Sequence, residues 1–375
     1  MRFSRFGVHA ALFCAALIAI FVFSGHSHTV EIQDRLLCHA LGIDFSGGEY
    51  EVSVQAFKPS GTGSDTPVDI TQSNIEIVSG RGKTVSEALE QCENTRGKEI
   101  FLGHLQLICL GKSVDLAQPR SLFEFCLKDK SVYLGVDICQ SDSTAKELMK
   151  VELSNDMLAT ENYVAVIEKN AEKSRTMRCR LLDMLNSESG AQCVGIPVLA
   201  VVRPPQNETE LVEPVLTVKE TALITGGKAA DVQLDPADSA ALFFMHSGSK
   251  EADMVIRDGG NNYSVSVSKK RCHAKVEQGN GVLLYKAHLT VVVHRLKDAV
   301  SAVKPETVNQ IVAQRLTEQF RDTFRRCVNE QKADAFGIRK MLRQSYPKTF
   351  LDYEDSLDEL YETAQGELEI ECLVE

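Results

Sequence analysis

TVSEALEQCENTRGKEIFLGHLQLICLG, residues 84–111, sets a helix with its own start signal directly before an apolar strand, and that juxtaposition decides the fold class. Thr84 stands just ahead of the helical run and Glu87 follows three residues later, the spacing of a capping box. The run IFLGHLQLICLG alternates too little for a half-solvated strand, so it predicts one buried strand ending at Gly111. Working outward, segments 113–128 and 144–172 read as helices joined by the strand SVYLGVDIC. Upstream, Glu31–Asp44 leads through Ser46-Gly47-Gly48 into EVSVQAF, where Tyr50, Val52, Val54 and Ala56 alternate with polar partners; a hairpin with a half-buried second strand is predicted. Strands and helices that succeed one another in this way argue for a mixed α/β, or α+β, chain.

The second half follows a different pattern. GIPVLAVVRPPQNETELVEP, residues 195–214, clusters prolines with polar residues and marks a boundary. Beyond it lie LTVKETALITG and then NYSVSVSKKRCHAKVE and VLLYKAHLTVVVHRL, long enough to form an antiparallel pair. A helix is predicted from about Glu306 to Lys332, with Val308, Ile311, Val312, Leu316, Phe320, Phe324 and Cys327 on one stripe. Shorter helices over about 335–344 and 353–363 precede ELEIECLV, whose Leu368, Ile370, Cys372 and Val374 alternate as in a strand. These breaks divide the chain into 1–24, a mixed α/β unit 25–200, a β-rich unit 201–264 and a unit of antiparallel strands and helices 265–375.

The apolar run Val8–Phe23 behind Arg2 and Arg5 has the pattern of a secretory signal peptide or an uncleaved signal anchor, and it predicts an extracytoplasmic body associated with a membrane. The net charge of -11 is almost entirely terminal, because ten acidic residues and no Lys or Arg follow Lys348. With the remaining residues near neutrality the chain lacks a basic footprint, and nucleic acid is excluded as a partner. The 11 cysteines are scattered without a CxxC or a compact framework, several of them in apolar runs (Cys109, Cys139, Cys372), and they read mostly as buried thiols.

Several segments together carry a family resemblance: VEIQDRLLCHALGID with YEVSVQAF, GKTVSEAL, IFLGHLQLICLG, LLDMLNSESGAQCVGIPVL, and KADAFGIRKMLRQSYPKTF with the closing ELEIECLVE. In their order and spacing the chain resembles the Ger(x)C-type spore germination proteins, the C subunits of nutrient germinant receptors. The resemblance implies three mixed α/β domains on the outer face of the spore inner membrane, working with an A-type and a B-type integral membrane subunit. It also implies a lipobox cysteine shortly before the VEIQD segment. Here FVFSGHSHTVEIQD puts Gly25 and His26 in its place, so no lipidation residue is expected, and Cys14, inside the apolar run, is no substitute.

No constellation carries chemistry. Gly80-Arg81-Gly82-Lys83-Thr84 imitates the end of a phosphate-binding loop, but Ile77 stands where the first glycine of GxxxxGK[ST] belongs, so a turn into the capped helix is predicted. Gly226-Gly227-Lys228 lacks that motif altogether. His26 and His28 form an x-spaced pair; His39, His104, His246, His273 and His294 are isolated; and Cys272-His273, if in a strand, point to opposite faces and cannot jointly hold a metal. His104 is the best single polar candidate, set against the commoner role of a core or strand-end histidine. The expectation is no catalytic residue, no cofactor and no metal: a non-catalytic receptor subunit, with an extracytoplasmic small-nutrient-binding protein as the alternative.

Overall fold

The computed structural model describes residues 7, 9, 13–16 and 18, then 31–57, 75–116, 119–151, 159–187, 193–202, 214–225, 228–237, 239–246, 248–258, 261–279, 282–295, 304–354 and 356–373. Of the predicted signal segment, only scattered helical positions fall within this set, and Gly25, His26, His28 and Gly226-Gly227 lie outside it. No helix among the described residues is long and apolar enough to cross a membrane.

Strands β1 (Arg35–Ser46) and β2 (Glu49–Phe57) form the predicted antiparallel hairpin. Its two turn residues, Gly47 and Gly48, have φ of 63° and 83°, a conformation that a β-carbon disfavours and that matches the twist of the paired strands. β3 (Ile75–Gly82) extends the hairpin and leads into helix α1 (Val85–Arg96). Thr84 Oγ1 accepts from the Glu87 N–H at 3.1 Å, while the Glu87 carboxylate takes the N–H of Lys83 at 2.7 Å. The capping box is therefore present, with its return bond displaced by one residue.

The predicted single strand 100–111 is broken. β4 (Glu99–Phe101) passes into a 3-10 turn, Leu102–His104, before β5 (Leu107–Leu110). Both pieces pair with β1 in parallel, β4 near its start and β5 further along. The break lets the chain shift position along the same neighbour, and a run of apolar residues carries no local mark of such a step. β6 (Asp137–Ser141) is shorter than predicted and is followed by α2 (Ala145–Met149) and α3 (Ala159–Glu172) in place of one helix. Then come β7 (Cys179–Arg180), α4 (Leu181–Ser187), β8 (Val194–Val202), β9 (Val215–Thr225) and β10 (Lys228–Leu234).

These strands make one sheet in the order β10-β9-β8-β6-β5-β1-β2-β3, with β4 beside β1 and β7 beside β6. Its centre, β8-β6-β5-β1, is parallel and its two wings are antiparallel. β8 and β9 flank the proline-rich stretch where the sequence places a boundary, yet they pair with each other in this sheet. The predicted middle unit 201–264 thus supplies β9 and β10 to the first sheet, and β11 (Glu251–Asp258) to a second.

That second sheet runs β11-β12-β13-β14, with β12 (Asn261–Gly279) and β13 (Val282–Arg295) as the predicted antiparallel pair and β14 (Gln365–Leu373) parallel to β13. The short helix α5 (Ala240–Phe243) precedes it, and α6 (Pro305–Phe324), α7 (Ile338–Ser345) and α8 (Leu357–Thr363) cover one face. Every residue of the predicted α6 stripe is buried except Ile311, which is partly so, and the helix ends in a π-helical turn, Arg325–Glu330. Tyr285, Phe320, Phe324 and Phe336 pack as one aromatic cluster with ring centroids 5.2–6.1 Å apart.

One burial expectation is corrected. β2 is covered on both faces, not half-solvated, from Val52 to Ala56. Val52, Val54 and Ala56 pack with Ala88 and Cys92 of α1. On the other face Gln55 donates to the Met149 carbonyl at 2.9 Å and accepts from Thr160 at 2.6 Å, while Ser53 and Ser79 hydroxyls pair at 3.0 Å. Satisfied polar residues can alternate with valines in a fully buried strand, so alternation alone misjudges the exposure.

Candidate functional site

The phosphate-loop imitation has a packing role. A β-carbon on Gly80 would stand 2.3 Å from the Ala88 carbonyl oxygen, and one on Gly82 would stand 2.7 Å from the Ala88 nitrogen. Glycine at both positions lets α1 approach the sheet more closely than any side chain would permit. Lys83 is exposed at the strand-to-helix corner, with its backbone N–H on Glu87.

His104, in the 3-10 turn, stacks on His39 of β1 with ring centroids 5.9 Å apart and meets the edge of Phe101 at 5.6 Å. Arg35 lies over the same Phe101 ring at 4.9 Å. Burial first, and then the neighbouring His104, hold the His39 imidazole below its usual range, in its neutral form. Cys272 turns inward onto the sulfur of Met245 at 3.2 Å, while His273 is exposed on the other face, in register with His288. His288 in turn lies 3.3 Å from Glu369 and 3.6 Å from Glu371 on the solvent face of β14. No group of three His, Cys, Asp or Glu side chains among the described residues is arranged to hold a metal ion, and the 11 cysteines are all unbridged.

A cavity of about 960 Å³ lies where the two sheets meet. It is bounded by α3 and β8 from the first sheet's side, and by the end of α5, β13 and the 334–337 loop from the second. Its apolar walls include Met177, Phe243 and Phe336. Three polar side chains converge on the loop between the π-helical turn and α7. Asp334 accepts from the N–H groups of Ile338 (2.5 Å) and Arg339 (2.9 Å) at the start of α7. Gly337, at φ 71°, supplies the left-handed turn that folds the chain back for those two bonds. Burial outweighs both hydrogen bonds, the Arg339 charge and the Tyr361 hydroxyl beside it, and pushes the Asp334 carboxyl up to about 7.

His246 follows α5, and its ring makes a backbone hydrogen bond at Ala335, the residue after Asp334, while its Nε2 is enclosed without a partner. Burial lowers its imidazole to about 4, and the nearby Lys269 pushes the same way. Lys269 itself caps the Phe244 and His246 carbonyls at 3.0 and 2.8 Å. Tyr285, fully buried on β13 and packed on Phe336 at 5.4 Å, has a hydroxyl that is also unpartnered. Also on the lining, Arg178 pairs with buried Asp137 and with Glu168, Lys250 pairs with Glu172, and Arg180 and Lys340 add two further cations.

Of this set the sequence singles out only His246, and only as isolated. Asp334 sits in KADAFG, where an acidic residue among small and apolar ones ahead of a helix is the one available signal. Tyr285 gives none, because its burial depends on α6 and Phe336, which are distant in the chain.

Family models match both halves of the chain. Residues 28–201 match the spore germination protein N-terminal domain, and residues 219–375 match the C-terminal domain described as spore germination B3/GerAC like. Among solved structures, the crystal structure of the GerBC protein aligns with a TM-score of 0.54 at 14% identity, covering 89% of this chain and 96% of that one. At that identity the likeness is one of fold. No curated protein matches.

Proposed function

The chain belongs to the GerAC-like spore germination proteins, and from that premise we propose that it is a non-catalytic, extracytoplasmic subunit of a membrane-bound germinant receptor. The observation that carries this reading is the pair of family matches in tandem, which together span almost all of the chain after the apolar N-terminal run. Within the reading, the body sits on the outer face of the spore inner membrane, held there by residues 1–24, and contributes to nutrient-triggered germination by contact with A-type and B-type integral subunits. The sequence supports a tether made of protein: Gly25 and His26 occupy the place of the lipobox cysteine.

Tethering confines the subunit near its partners and raises its effective concentration there. Removal of Met1–Ser24 is therefore expected to abolish nutrient-triggered germination, while Lys83→Ala and His104→Ala leave it nearly intact. The test is to express each variant in spores lacking the native copy, to confirm its amount by blot and to measure the germination rate. A normally abundant, folded Lys83→Ala or His104→Ala protein without any response would point to a specific ligand or catalytic site instead.

A further inference from the structure

We propose that the cavity between the two sheets is a binding site for a small primary amine with an apolar body, its ammonium held by Asp334, His246 and Tyr285. This goes beyond the contact role and does not depend on it.

The polar floor has an unusual hydrogen-bond balance. The Asp334 oxygens accept from the N–H groups of Ile338 and Arg339, with the Tyr361 hydroxyl also against the carboxyl, and an ionised carboxylate has further lone pairs to offer. His246 is kept neutral by its surroundings, and with one ring nitrogen bonded to the backbone at Ala335 the enclosed Nε2 is left as an acceptor. The Tyr285 hydroxyl is able to accept as well, and no group among the described residues engages it. One short loop gathers all three: Asp334 begins it, His246 bonds to Ala335, and Tyr285 packs on Phe336.

Buried polar groups without partners are uncommon and costly in a folded protein. Two of them, Nε2 and the Tyr285 hydroxyl, beside a carboxyl whose ionisation is opposed by burial, make a floor with more acceptor sites than donors to fill them. A primary ammonium supplies what is short, because it carries three N–H donors and a positive charge in one compact group. It would restore the charge on Asp334 and satisfy Nε2 and the hydroxyl together. A neutral alcohol offers one donor, and a carboxylate offers none and would meet Asp334 as a like charge.

The walls set the rest of the ligand. Met177, Phe243 and Phe336 present apolar and aromatic surface, suited to an alkyl or aryl body and to a cation near ring faces. The volume of about 960 Å³ is that of a small-molecule site. Of the cations on the lining, Arg178 and Lys250 are engaged with Glu168 and Glu172, whereas Arg180 and Lys340 have no ion pair among the described residues, so a carboxylate carried beside the amine would find a cation to meet.

The probes are pentylamine, 1-pentanol and pentanoate, equal in chain length and different in head group, together with norleucine, which is pentylamine carrying a carboxylate. Each is titrated calorimetrically into the full chain in detergent. Pentylamine or norleucine is expected to bind at least tenfold more tightly than pentanol and pentanoate, and the better of the two shows whether the site takes simple amines or amino acids. Asp334→Asn should weaken the amine at least tenfold. Tyr285→Phe should weaken it several-fold in a protein that folds as well as wild type, since that hydroxyl has no partner among the described residues to lose. The proposal is overturned if no amine binds up to about 10 mM, a concentration equivalent to only ~3 kcal/mol of affinity. Pentanol binding as tightly as pentylamine would overturn it too, as would unchanged amine affinity in Tyr285→Phe. Such results would leave the family assignment and the receptor role untouched.

Discussion

Gly80 lies so close beneath α1 that a β-carbon there would stand 2.3 Å from the carbonyl oxygen of Ala88. Relief would require the helix backbone to move, because the obstructing atom is main chain. Gly80→Ala is accordingly expected to destabilise the protein by roughly 1–3 kcal/mol, the usual cost of overpacking. Lys83→Ala, at the exposed corner, should stay within about 0.5 kcal/mol of wild type. Urea midpoints of the two variants check this. Equal midpoints would mean that α1 stands off from the sheet.

Phe320 is the centre of the second prediction. It is buried in the aromatic cluster with Tyr285, Phe324 and Phe336, so Phe320→Ala removes a large side chain that its neighbours cannot replace. A loss of roughly 3–5 kcal/mol is expected in denaturant unfolding. A loss below about 1 kcal/mol would place the residue at the surface.

Asp334 and His246 give opposite pH dependences over nearly the same range. The folded protein holds the Asp334 proton up to about pH 7, whereas the unfolded chain releases it near 3.8. Stability from this group therefore falls as pH rises between those values, by about 1.4 kcal/mol per unit at most. His246 protonates near 6.5 when unfolded and near 4 when folded, so its contribution rises with pH over that interval. The two slopes offset each other in the wild type. Relative to wild type, Asp334→Asn should gain stability with rising pH between about 4 and 6.5, and His246→Gln should lose it. Unfolding midpoints across that range test both signs, and parallel profiles for all three proteins would remove the assignment.

What the sequence reveals is the local part of the fold. Gly47-Gly48, the Thr84–Glu87 cap, the α6 stripe and the alternation of β14 are each set by neighbours within a few residues, and each is found where the pattern puts it. The broken strand 100–111 is different, because its pieces are fixed by their register on β1, a strand more than fifty residues away. β2 misled for the same reason: Gln55 looks solvent-facing until Met149 and Thr160 arrive to bond it. The cavity floor was legible least of all. Asp334, His246 and Tyr285 come from three separate elements, and a polar atom left without a partner is a property of the assembled core alone.

A subunit of a receptor complex travels with the integral subunits when they are isolated, and co-purification reads that association. A tagged B-type subunit is isolated from spore membranes and probed for this chain, in wild-type form and without Met1–Ser24. The wild-type chain is expected with the tagged subunit in constant proportion, and the truncated form is expected to be depleted. A wild-type chain that is abundant in the same membranes yet absent from the isolated complex would contradict it.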